Sequence, residues 1–251
     1  MTPEERFVFD LQGYVIIKQV LSAREVASLN ELADRWRPPL SMALKYDRVF
    51  CASAWGRPYH ALIDHPTVAG YLVELVGPHF RLDHDFCIYT LKEGVGDILH
   101  GGEGSDERPD HWYNYRDGVM RNGLTVVIYC LSSARDGDGG FCCVPGSHKS
   151  NFSANIPDDV RSYLRQPHYV VQPSVEAGDV IIFTEALIHG TAPWKARHER
   201  RALLYKYSPG HSAWMNEYYD ADEYEGITQQ QRRILAPPSV GERPASLDPA
   251  S

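Results

Sequence analysis

Six short runs rich in β-branched and aromatic residues succeed one another between residues 80 and 209: FRLDHDFCIYTL, LTVVIYCLSS, GGFCCVPGS, HYVVQPSV, DVIIFTEALIHG and RRALLYKYSP. Each is bounded by Gly, Pro, Asp or Asn. A series punctuated this way fits an antiparallel barrel or double-sheet jelly roll rather than a parallel α/β sheet. The expected class is therefore mainly β with flanking helices.

The helices belong to the first third of the chain. Pro3 opens a short helix over residues 3–12, and GYVIIKQV (13–20) reads as a strand after a glycine. Ser22 and Glu25 form a capping box, and Val26, Leu29, Leu32 and Trp36 recur at helical spacing, which predicts a helix over 23–36. Another helix runs from Pro66 to Leu75 and stops at Gly77. A polar segment, residues 101–123, reads as a long loop, and loops of that length in a compact domain are usually functional or mobile. The expected organisation is one domain over residues 1–236, followed by an extended or disordered tail, 237–251, rich in Pro, Ser and Ala.

Composition narrows the function. A chain of 251 residues with 43% hydrophobic residues can bury one sizeable core. A net charge of −8 argues against a nucleic-acid polymer or an anionic membrane as partner and leaves a small molecule. No apolar run approaches the roughly 20 residues of a spanning helix. The N-terminus MTPEERFVFD has neither the basic start nor the apolar stretch of a secretory signal. The five cysteines, 51, 87, 130, 142 and 143, have no CxxC spacing, so a reducing cytoplasm is expected.

Two histidines stand at ends of predicted strands, His100 in DILHGG and His189 in EALIHGTAPW, and Arg200 begins the next strand. Imidazoles from different strands can meet in the mouth of a jelly roll, where nitrogen ligands suit ferrous iron. An arginine one hairpin away can form a bidentate pair with a carboxylate deep in the barrel.

With these residues the chain resembles the phytanoyl-CoA dioxygenase family of Fe(II)/2-oxoglutarate enzymes. The resemblance is carried by GDGGFCCVPGSHK (137–149), AGDVIIFTEALIHGTAPW (177–194) and ERRALLYKYSPG (199–210), with GYVIIKQVLSAREVASLN (13–30) as the helical opening. It implies a double-stranded β-helix core of cupin-like form, with Fe(II), 2-oxoglutarate and O2 as cofactors. By the same resemblance His100 and His189 would be iron ligands, Arg200 would hold the distal carboxylate of 2-oxoglutarate, and Thr191 would hydrogen-bond that group. The PGSH turn, Pro145 to His148, would be structural.

The chain departs from the family at one place. The usual His-x-Asp or His-x-Glu supplies the third metal ligand, but Gly102 stands there, and none of the eleven histidines has an acid two places on. The resulting His-x-Gly resembles the pattern of iron/2-oxoglutarate halogenases, in which chloride binds iron where the acid would be and the substrate radical takes chlorine rather than hydroxyl. Glu103, Asp106 or Asp110 from the loop could instead return as the third ligand, or water could fill the position; either gives a hydroxylase. A protein that binds a ligand without turning it over is the third alternative. The loop residues Trp112, Tyr113 and Tyr115 could form a lid or anchor the loop, and Arg116, Arg121, Lys149 and Arg197 could meet an anionic substrate.

Overall fold

Alternation along the long strands separates two apolar layers. A computed structural model describes residues 1–102 and 108–249. Its main sheet is antiparallel throughout, in the order β1 (Tyr14–Ile17), β8 (Val180–Thr184), β6 (Thr125–Cys130), β10 (Arg200–Ser208), β3 (Arg81–Thr90) and β2 (Tyr46–Phe50). On β10, Leu203, Tyr205 and Tyr207 join one hydrophobic cluster while Ala202 and Leu204 join another; β6 divides Val127 and Tyr129 from Val126 and Ile128 in the same way. Successive side chains on a strand point to opposite faces, so one side of the sheet packs on helices and the other on a second sheet.

The helical side holds α1 (Pro3–Gln12), α2 (Ala23–Trp36), α3 (Arg57–His60), α4 (Pro66–Leu75) and, near the C-terminus, α6 (Gln229–Leu235). Capping boxes start α1 at Thr2 and α2 at Ser22, and α2 buries Val26, Leu29 and Ala33. The second sheet is narrow. It pairs β7 (Gly140–Cys143) with β9 (His189–Ala192), and single bridges extend it on both edges, His100 to His189 and Cys143 to Val171. Together the two sheets make the jelly roll.

The elements differ from the sequence reading at three places. Residues 101–123 do not form one unstructured loop: a hairpin of β4 (Tyr113–Arg116) and β5 (Val119–Asn122) closes the segment and returns residues 110–112 alongside Gly123 and Leu124. HYVVQPSV contributes bridges but no strand, because Pro167 and Pro173 flank its β-branched pair. DVIIFTEALIHG splits into β8 and β9 around a turn in which the Leu187 N–H donates to the Thr184 carbonyl at 2.9 Å. Residues 237–249 have neither helix nor strand, and Ser246 among them is buried, with its hydroxyl donating to the Phe80 carbonyl at 2.6 Å. All five cysteines are unpaired. No helix among the described residues is long and apolar enough to cross a membrane.

The PGSH turn joins the helical side to the second sheet. The Gly146 N–H donates to the Gln12 carbonyl at 3.1 Å, His148 Nε2 to the Asp10 carbonyl at 3.1 Å, and the Ile188 N–H to Ser147 Oγ at 2.8 Å. Burial pushes the His148 imidazole down to about 4 from its ordinary 6.5. The unfolded chain therefore binds a proton that the folded one refuses between these pH values. Stability contributed by neutral His148 is complete above about pH 6.5 and lost as pH falls towards 4. In urea titrations of the metal-free protein we expect the midpoint to fall between pH 7 and pH 5, and His148→Gln to flatten part of that slope; an unchanged slope would remove His148 as a source of acid sensitivity.

Candidate metal and carboxylate site

The site begins where the segment after β3 meets β9. His100 and His189 exchange both backbone hydrogen bonds, each N–H donating to the other's carbonyl at 2.8 Å, and their rings stand 4.4 Å apart. Each imidazole places Nδ1 2.7 Å from the carbonyl two residues earlier, His100 on Ile98 and His189 on Leu187. A carbonyl only accepts, so Nδ1 carries the hydrogen and the lone pair lies on Nε2. The His100 segment is secured by α5 (Asp158–Arg161), since Leu99 N–H donates to the Arg161 carbonyl at 3.0 Å, and by Tyr163, whose hydroxyl donates to the Asp97 carbonyl at 2.9 Å.

Glu185 completes a cluster that the sequence reading did not contain. One ligand atom each from His100, His189 and Glu185 lie within 4.8 Å of one another, and Glu185 Oε2 is 3.6 Å from His189 Nε2. The turn over 184–187 makes this possible: along a continuous strand, residues four apart stand about 13 Å apart. Glu185 Oε1 takes an ion pair from Lys206 Nζ at 2.6 Å. Burial alone would raise the carboxyl, but the Lys206 ammonium outweighs that and holds it well below the usual range. His111, returned by the hairpin, places Nε2 3.8 Å from Glu185 Oε2 and stacks on Trp214. Burial keeps the His189 and His111 imidazoles neutral, below their ordinary value.

Behind the histidines a cavity of about 70 Å³ runs between the sheets, with Phe141, Phe183 and Leu204 on its walls. Arg200, Thr191 and the Arg48–Asp97 ion pair (3.1 Å) also line it. Strand parity sorts the arginines: Arg200 is buried, pointing inward with Ala202 and Leu204, whereas Arg201 turns to the helical side and pairs with Glu199 and Asp34. Arg200 Nη1 is buried without a partner among the described residues, and an orphaned buried cation atom is costly unless a ligand meets it. Gly140 leaves it room, since a Cβ there would stand 3.1 Å from Arg200 Nε.

The remaining expected residues lie elsewhere. A Cβ on Gly102 would meet Ser153 Cβ at 2.7 Å and Oγ at 2.9 Å, so the space beside this glycine faces Ser153 rather than the histidine pair. Asp110 is outside the cluster and accepts from the Ser212 hydroxyl. Glu103 and Asp106 lie outside the described residues. Tyr113 anchors the hairpin to Asp10, Tyr115 is exposed, and Arg121 and Lys149 are engaged with the Glu74 carbonyl and Asp10.

The fold is a jelly roll in which two histidines and a buried arginine line one cavity. Residues 91–202, which span both histidines, Glu185 and Arg200, match the phytanoyl-CoA dioxygenase (PhyH) family, and this bears out the family resemblance. The dioxygenase olcK of Penicillium canescens is 22% identical over 181 residues; the match covers 69% of this chain and 55% of olcK, so the chain spans about half the length of that relative. Among solved structures, HygX of Streptomyces hygroscopicus with nickel and 2-oxoglutarate bound is 23% identical at a TM-score of 0.74, covering 89% of this chain and 94% of HygX. SnoK, a non-heme α-ketoglutarate-dependent carbocyclase of nogalamycin biosynthesis, is 20% identical at a TM-score of 0.65, covering 96% and 94%.

The glycine after His100 gives a test of how the pair is held. Gly101 has φ +91°, and a Cβ there would lie 2.4 Å from the Leu187 carbonyl oxygen and 3.2 Å from His189 Nδ1. Strain of this kind costs about 1–3 kcal/mol. Gly101→Ala is expected to lower the thermal midpoint by several degrees and to weaken cobalt(II) binding in parallel; full metal affinity would show that the bridge does not hold the ligand geometry.

Proposed function

We propose that this protein is an Fe(II)/2-oxoglutarate-dependent enzyme that oxidises a C–H bond of a small molecule, with His100 and His189 on the metal and Arg200 on the distal carboxylate of 2-oxoglutarate. One observation carries the reading: two imidazoles with free Nε2 lone pairs and a buried arginine with an unsatisfied Nη1 line the same narrow cavity. The donor set fits iron, since neutral imidazoles suit it and the fixed Nδ1 tautomers hold them ready. Bound iron with 2-oxoglutarate supplies the oxidising power of dioxygen. Arg200 and Thr191 orient the cosubstrate, and Phe141, Phe183 and Leu204 exclude water from its length.

A second cavity, about 400 Å³, is the candidate substrate space. His84 lines it and stacks on Phe86, which lines the first. Glu217, Asp220 and Glu223 on its wall disfavour an anionic substrate. HygX has been crystallised with hygromycin B, so this fold accommodates a small-molecule ligand in that protein. Hydroxylation and radical chlorination would both use such a site and differ in what completes the coordination, a carboxylate or chloride. Gly102 in place of the usual acid is the feature that favours chlorination.

Arg200→Ala tests the reading. Truncating one partner of a buried charged pair costs roughly 2–5 kcal/mol. The mutant should therefore bind 2-oxoglutarate at least about 30-fold more weakly in calorimetry, with only partial rescue by lysine, which lacks the planar fork. Unchanged 2-oxoglutarate affinity would place the anchor elsewhere.

A further inference from the structure

We propose that Glu185 supplies the carboxylate of the metal site, reaching it from the turn before His189 and replacing the acid that Gly102 lacks. The inference rests on the two-histidine reading above and adds the third ligand to it.

Three acceptor atoms converge here with no donor hydrogen among them. His100 and His189 spend their Nδ1 hydrogens on backbone carbonyls, which leaves Nε2 lone pairs inward. The Glu185 carboxylate is divided: Oε1 accepts from Lys206 at 2.6 Å, and Oε2 stands 3.6 Å from His189 Nε2, too far for a hydrogen bond. Facing lone pairs repel unless a cation lies between them. Metal–nitrogen bonds of about 2.1 Å at right angles put neighbouring ligand atoms about 3 Å apart, so small side-chain shifts would close this set on one ion.

The second position after His100 is where the family's acid would stand. A Cβ on Gly102 would meet Ser153 Cβ at 2.7 Å and Oγ at 2.9 Å, so a larger side chain there would have to displace Ser153. Glu185 restores both what the glycine removes, a coordinating oxygen and a negative charge. With both restored, the site has no need of chloride, and the proposed reaction becomes hydroxylation or a related oxidation. Among the described residues, His111 is the other imidazole facing the same oxygen, at 3.8 Å, and the test must separate it.

The experiment is an anaerobic titration of the metal-free protein with cobalt(II), followed by visible absorption and calorimetry, with thermal melts of every variant. Wild type should bind one cobalt(II) per chain. Glu185→Gln, equal in volume but uncharged, should weaken binding by at least the roughly 10–100-fold that loss of an outer-shell partner costs. His111→Ala should change it less. Chloride should leave the wild-type cobalt(II)–2-oxoglutarate spectrum unaltered and change that of Glu185→Ala, whose vacated position admits an anion. The proposal is overturned if Glu185→Gln binds cobalt(II) like wild type while His100→Ala and His189→Ala lose it, if the His111 variant alone loses it, or if the wild-type spectrum responds to chloride. If both histidine variants keep the metal, the two-histidine reading itself fails. Should Glu185→Gln not fold, the wild-type chloride response still decides, since it requires no variant.

Discussion

The reciprocal pair of backbone hydrogen bonds between His100 and His189 is the constraint on which the site depends. It joins the segment after β3 to β9 and leaves the two imidazoles side by side, with one further backbone bond between the same segments, the Thr191 N–H donating to the Asp97 carbonyl at 2.9 Å. The contact is short, so its geometry is borrowed from neighbours. Arg161 and Tyr163 hold the approach to His100, while Ser147 accepts from the Ile188 N–H beside His189. The PGSH turn thus reaches the site through the Ser147 hydroxyl, and its histidine serves the helical side.

The main sheet sets the other end. Arg200 and Lys206 share one face of β10 and stand about 20 Å apart along it. Both long side chains line the same cavity, one with an unsatisfied nitrogen and one paired to Glu185. The separation is a property of strand geometry, so it tolerates change in the loops far better than change in strand register, where a slip of one residue would exchange Arg200 for Arg201.

Lys206 and Glu185 illustrate how burial and pairing act together. Neither charge would persist alone in this interior. Their ion pair keeps the carboxylate ionised while using only one of its oxygens. The pair is therefore a structural element and, at the same time, an oriented acceptor aimed at the imidazoles.

Much of the scaffold was legible in the sequence because local rules control it. Pro3, the Ser22–Glu25 capping box with its apolar spacing, and the Pro66-to-Gly77 punctuation located α1, α2 and α4; β-branched runs between turn residues located the long strands; the motif blocks pointed to His189 and Arg200, and the end of a predicted strand to His100. Parity alone would have preferred Arg200 to Arg201 once Ala202 and Leu204 were read as inward. What only the tertiary structure shows is a carboxylate beside the two histidines, that of Glu185. In the sequence Glu185 is an acid inside an apparent strand, four residues before a histidine, a spacing that brings side chains together only on a helix or a turn. The turn at Thr184 is stabilised by contacts with Gly13 and Leu124, from distant parts of the chain. The return of His111 likewise needs the β4–β5 hairpin to close. Local propensity records neither contact, because the energy that forms the turn comes from the assembled sheets.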